Sequence, residues 1–147
     1  MKKKTAIIGA LVSLLPLGQT LVIGTGAALT SAGVMLTVPE RAKAESASYY
    51  NTLGIKKHYE NDHYGAISAY TKAIEIDPYT SQYYYNRGLS KNLIKDNYGA
   101  IADFNKAIDI NSQYTAAYID RGLSKKTLAD FYGAISDYNK AIDIDPN

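Results

Sequence analysis

The sequence predicts an all-α fold: a solenoid of three stacked helix-turn-helix hairpins behind an apolar leader. Three observations carry this. A 34-residue step relates Gly54, Gly88 and Gly122, then Ala66, Ala100 and Ala134, then Ala73, Ala107 and Ala141. Within each step, apolar residues return at helical spacing. The first third is written differently, since all 14 Tyr and both Phe lie after residue 48.

The leader comes first. The chain opens Met1-Lys2-Lys3-Lys4, carries no charge from Thr5 to Pro39, and reaches Ala42-Lys43-Ala44. A basic start, an apolar middle and a small-x-small site form an export signal. Residues 1–44 therefore read as a signal peptide cut after Ala44, which would deliver 45–147 to a periplasm or lumen. The alternative is an uncleaved N-terminal helix, with membrane attachment through residues 5–38, because Leu21–Val38 is nearly long enough to span a bilayer. Lys2–Lys4 would then hold the N-terminus in the cytoplasm. The G-x-G in Ile23–Leu29 follows no expected strand and lacks a third glycine, so it reads as small-residue packing.

The body follows as three units, about 47–80, 81–114 and 115–147. In the first helix of the first unit, Tyr50, Leu53, Gly54 and Lys57 share a face; in the second, Ala66, Ile67, Tyr70, Ala73 and Ile74 form a stripe. Asp62, Asp96 and Asp130 stand where a carboxylate caps the second helix of each unit. Asp77-Pro78 and Asp145-Pro146 should end second helices, because the residue before proline avoids helical angles. Gly54 is expected to face Ala66, Ala73 to receive the next unit's first helix, and Tyr50 and Tyr70 to fill the space between. The repeated run Asn105–Ile110, copied at Asn139–Ile144 and nearly at Thr71–Ile76, is then the second helix of each hairpin.

On Leu53-Gly54, Ala66, Tyr70, Ala73 and Pro78, with Gly88, Ala100, Phe104 and Ala107, and Gly122, Ala134, Tyr138, Ala141 and Pro146, the chain resembles tetratricopeptide repeat (TPR) proteins over about 100 of its 147 residues. The resemblance implies a right-handed superhelix that binds a peptide or protein segment in a concave groove lined by the first helices. No nucleophile elbow or comparable motif marks a site, so no catalysis and no cofactor are expected. Lys57, Lys91 and Lys125 stand where the family often has Tyr. Arg87 and Arg121 replace the Leu beside the glycine, and Ser112 replaces a proline.

Other chemistry finds little support. There is no Cys, which excludes a disulfide frame, thiolate catalysis and Cys-based zinc sites. His58 and His63 are five apart and form no metal motif, so both read as surface histidines. The carboxylates of Ile142–Pro146 recur at helix ends and read as turn residues. Residues 45–147 hold 11 Lys and Arg against 13 Asp and Glu, so Ser81–Asn86, despite three Tyr, reads as core packing and no nucleic acid is expected.

The resemblance puts the groove on first helices at about 48–60, 82–94 and 116–128. Asn51, Ile55, His58, Tyr59, Tyr85, Leu89, Asn92, Leu93, Ile119, Leu123 and Lys126 should face it. Cochaperones of the family clamp acidic C-terminal tails with five polar or basic residues. Here Asn51, Ile55, Asn86, Ala116 and Asp120 stand at those places, and only Asn86 matches; Asp120 would repel a carboxylate. The expected function is a non-catalytic interaction module for another protein. The alternative is self-association through Phe131, Ile135, Tyr138 and Ile142 on the last helix, whose apolar surface has no following helix to bury it.

Overall fold

The computed structural model describes residues 46–146, together with residues 21–23, 27–29 and 35–37. Residues 1–44 and 45–147 form two compact units. In the first, three short strands pair antiparallel in the order β1 (Leu21–Ile23), β2 (Ala27–Leu29), β3 (Met35–Thr37). Leu21 stands opposite Leu29, and Leu29 opposite Met35. β1 ends directly before the G-x-G at 24–26, which was expected to follow no strand, and all three strands lie within Leu21–Val38, the stretch read as an alternative membrane-spanning helix. The cleavage site and the rest of the leader fall outside the described residues. Among the described residues, no helix is long and apolar enough to cross a membrane.

The second unit is built from six helices, α1 (Ala47–Tyr59), α2 (His63–Ile76), α3 (Ser81–Leu93), α4 (Asn97–Ile110), α5 (Thr115–Thr127) and α6 (Phe131–Ile144). Consecutive helices pack as the hairpins α1/α2, α3/α4 and α5/α6; α2 also packs on α3 and α4 on α5, which stacks the hairpins. The first helices α1, α3 and α5 lie side by side.

One turn chemistry makes all three hairpins. After α1, the Asn61 N–H donates to the His58 carbonyl and the Asp62 N–H to the Lys57 carbonyl. The same pair of bonds recurs from Lys95 and Asp96, and from Ala129 and Asp130. This closing motif needs a left-handed residue, and Asn61, Lys95 and Ala129 supply it at φ of 62°, 68° and 62°. Asp62, Asp96 and Asp130 then cap the next helix at once, accepting from the Gly65, Gly99 and Gly133 N–H groups at 2.9 Å. The second helices end at Asp77, Asn111 and Asp145, all in extended conformation. Asn111 stops α4 without a following proline, so proline at Pro78 and Pro146 reinforces a stop that Asn111 reaches without one.

The core alternates small and aromatic residues. Ala66, Ala73, Ala100, Phe104, Ala107 and Ala117 are fully buried. Gly54 meets the ring of Tyr70: a methyl group there would lie 2.5 Å from the ring. Gly88 lies likewise against Phe104 and Gly122 against Tyr138, with the Ala134 carbonyl also near Gly122. In each hairpin an aromatic side chain leans over the glycine that admits it. Between hairpins, Tyr84, Ala107, Ile108, Ala117, Tyr118 and Ala141 form one cluster.

Candidate partner-binding face

The face made by α1, α3 and α5 is held together by polar clasps in a repeating register. Asn86 Nδ2 donates to Asn51 Oδ1 at 3.0 Å, and one unit later the Tyr85 hydroxyl donates to Asp120 Oδ2 at 2.8 Å. A second pair follows: His58 Nδ1 lies 2.9 Å from Ser90 Oγ, and Asn92 Nδ2 donates to Ser124 Oγ at 2.9 Å. Four residues expected to line the groove, Asn51, His58, Tyr85 and Asn92, therefore tie neighbouring first helices to each other. His58 and His63 are both half-buried rather than plain surface residues, and their rings stand 5.5 Å apart. Burial, and then the nearby His63, lower the pKa of His58.

Ile55, His58, Tyr59 and Leu89 meet with Tyr70, Gln82 and Asn86 around a cavity of about 250 Å³ between α1 and α3. Tyr59, Leu93, Leu123 and Lys126 are exposed. Ile119 is placed elsewhere as well: it lines a second cavity with Thr115, Tyr138, Ala141, Ile142 and Asp145, between α5 and α6. Asp120 is half-buried, and burial raises its carboxyl pKa against the opposing hydrogen bond from Tyr85. Tyr85 is pushed up too, by burial first and then by Asp120. Its ring packs 4.9 Å from Tyr114 and 5.9 Å from Phe104.

Behind this face sits a charged support. Asp103 and Asp137 are buried, at 4% and 3% exposure. Arg87 forks onto Asp103 at 2.9 and 2.7 Å, Lys91 reaches the same carboxylate at 2.8 Å, and the third Arg87 nitrogen donates to Thr71 Oγ1 on the preceding hairpin. Arg121, Lys125, Asp137 and Asn105 repeat the arrangement. The first unit has Leu53 and Ala69 in the places of the arginine and aspartate. Among the described residues, no group of three His, Cys, Asp or Glu is placed to hold a metal.

This architecture agrees with sequence comparison: a tetratricopeptide repeat profile matches residues 47–80, 81–114 and 115–147. The chain belongs to the tetratricopeptide repeat family. Solved TPR structures resemble it. The first TPR of Spaghetti (RPAP3), bound to the HSP90 peptide SRMEEVD, is 30% identical with a TM-score of 0.68, over 71% of this chain and 82% of that one. The TPR2B domain of yeast Sti1, in a complex with a pHsp70 partner, is 26% identical at 0.66, over 67% and 79%. MamA is 26% identical at 0.69, over 72% and 62%. No curated protein sequence matches the chain.

Within the TPR framework, the departures at Arg87, Arg121, Lys91 and Lys125 have a cause. They neutralise Asp103 and Asp137, two residues that the sequence reading did not single out. The signal was present inside the chain, since arginine and aspartate appear together in units two and three and are absent together from unit one. Of the five clamp positions, Asn51 and Asn86 are bonded to each other, and Asp120 brings a carboxylate to the third unit.

Proposed function

We propose that this TPR chain is a non-catalytic interaction module that takes a segment of another protein along the face of α1, α3 and α5. The observation that carries the reading is the combination on that face of a small cavity around Ile55 and Leu89 with the exposed apolar side chains of Leu93 and Leu123. Helix-lined grooves of this kind offer anchors to a bound segment. The peptide complexes of related TPR domains support the same use of the fold. The test is Leu89→Asp, with circular dichroism and co-purification of a partner from the native cell. The reading expects unchanged helicity and loss of the partner; retention of the partner would refute it.

A second reading is self-association through α6. Ile108 is 9% exposed where α5 covers it, whereas its counterpart Ile142 is 59% exposed, with Phe131 and Ile135 exposed nearby and Tyr138 half-buried. Ile142→Asp should then reduce the sedimentation coefficient, while an unchanged, monomeric value in both chains would dismiss it. We further propose that the body is exported and released by cleavage after Ala44. A native mass beginning at Glu45 supports release, and a full-length chain in the membrane fraction supports retention as an anchor.

A further inference from the structure

Among the described residues, two carboxylates are buried, Asp103 and Asp137, and two are half-buried, Asp77 and Asp120. Asp77 closes a turn, accepting from the Tyr79 N–H and the Thr80 hydroxyl. Asp103 and Asp137 are each held by an arginine and a lysine. Asp120 differs. Its side-chain partner is the Tyr85 hydroxyl, and no cationic side chain among the described residues stands within ion-pair range of it. A carboxylate partly removed from water without a cation is unfavourable, and a fold that gives Asp103 and Asp137 two cations each leaves Asp120 with none.

Asp120 also lies on the face proposed above for the bound segment. It occupies on α5 the place that Asn86 holds on α3, and Asn86 lines the cavity with Ile55 and Leu89. Ile119 and Leu123 flank it, 46% and 49% exposed. The other titratable groups described around this face are Tyr85, which donates to Asp120, Tyr114, whose pKa is raised by burial and then by Asp120, the exposed Tyr59, His58, which is tied to Ser90, and Lys126, which is exposed toward the end of α5. An ionised carboxylate accepting one hydroxyl keeps acceptor capacity for further donors.

We propose that the bound segment sets an arginine or lysine side chain against Asp120, between apolar residues resting on Leu89 and Leu123. This rests on the groove reading given above and deepens it. The partner's cation supplies the charge that Arg87 and Arg121 supply to the two buried aspartates. The net charge of −2 on residues 45–147, from 11 basic and 13 acidic residues, favours the approach of a basic segment. An acidic C-terminal tail would instead meet a like charge at Asp120.

The test is selection from a random-peptide display library on the full chain, repeated on Asp120→Asn and Leu89→Asp. Asparagine keeps an acceptor for Tyr85, so the clasp survives. Wild type should enrich peptides with Arg or Lys at one fixed place between apolar residues. Their affinity, read by fluorescence anisotropy of the labelled peptide, should fall roughly tenfold or more on Asp120→Asn. Replacing that basic residue by Met should cost the same, and the two losses should not add. Selected peptides without a basic residue, peptides ending in acidic residues, or equal binding to Asp120→Asn would overturn the inference. Binding lost in Leu89→Asp but indifferent to Asp120→Asn overturns this inference and leaves the groove reading standing. Binding unaffected by Leu89→Asp, or no selected peptide at all, overturns both.

Discussion

Arg87 on α3 forks onto Asp103 on α4 at 2.9 and 2.7 Å and, with its third nitrogen, reaches Thr71 on the hairpin before. One side chain thus neutralises a buried acid inside its own hairpin and fixes the stacking of that hairpin on its neighbour. Arg121 does the same with Asp137 and Asn105.

Removing one partner of such a pair should cost far more than removing both. Asp103→Ala leaves Arg87 and Lys91 close together without their counter-ion and should lose about 3 kcal/mol. The double change Arg87→Leu with Asp103→Ala copies Leu53 and Ala69 of the first unit and should regain most of it. Lys91 then has Asp96 at the same sequence distance at which Lys57 pairs with Asp62. Urea denaturation of the four chains gives the coupling directly.

Acid should attack the third hairpin through Asp137. Burial works against its ionisation, but the hydrogen bonds and charges of Arg121 and Lys125 outweigh burial and hold its pKa below the usual 3.8. A depressed native pKa means that its contribution is complete above the unfolded value and is lost as pH falls through the native one. The stability of the wild type should therefore decline below about pH 4, and that of Asp137→Ala should be lower at neutral pH and flatter in this range. Melting curves across pH check both.

Asp120 should behave in the opposite sense. Its pKa is raised by burial, so ionisation weakens the fold as pH rises above the unfolded value near 3.8. Asp120→Asn should raise the melting temperature at neutral pH, with the difference vanishing in acid. A variant that is more stable yet binds worse separates a residue kept for recognition from one kept for folding.

Two small substitutions should move stability in opposite directions. Gly88→Ala places a methyl group 2.7 Å from the ring of Phe104, which is fully buried and cannot withdraw, and should cost roughly 1–3 kcal/mol. Ala129→Gly relieves a left-handed alanine at φ 62° and should add about 1 kcal/mol. Denaturation midpoints decide both.

The architecture was legible because repetition exposes it: the 34-residue step of Gly54, Gly88 and Gly122 fixes where each aromatic must lie over a glycine. The caps at Asp62, Asp96 and Asp130 could be read for the same reason. The left-handed residue before each cap could not, since Asn61, Lys95 and Ala129 share no side-chain chemistry and only the backbone unites them. Face residues were harder still. A helical stripe tells which side Asn51, Tyr85 and Asn92 occupy, but not that they bond across to Asn86, Asp120 and Ser124, because such contacts join residues 32 or 35 apart and depend on how neighbouring hairpins stack.

The claim at the centre of this account is that a partner lies on the face of α1, α3 and α5. A photo-crosslinking residue placed at the exposed Leu93 on α3, and separately at the exposed Ala102 on α4, tests it in the native cell. The account expects a discrete adduct with another protein from position 93 and none from position 102. Adducts from 102 alone, or equal adducts from both, would contradict it.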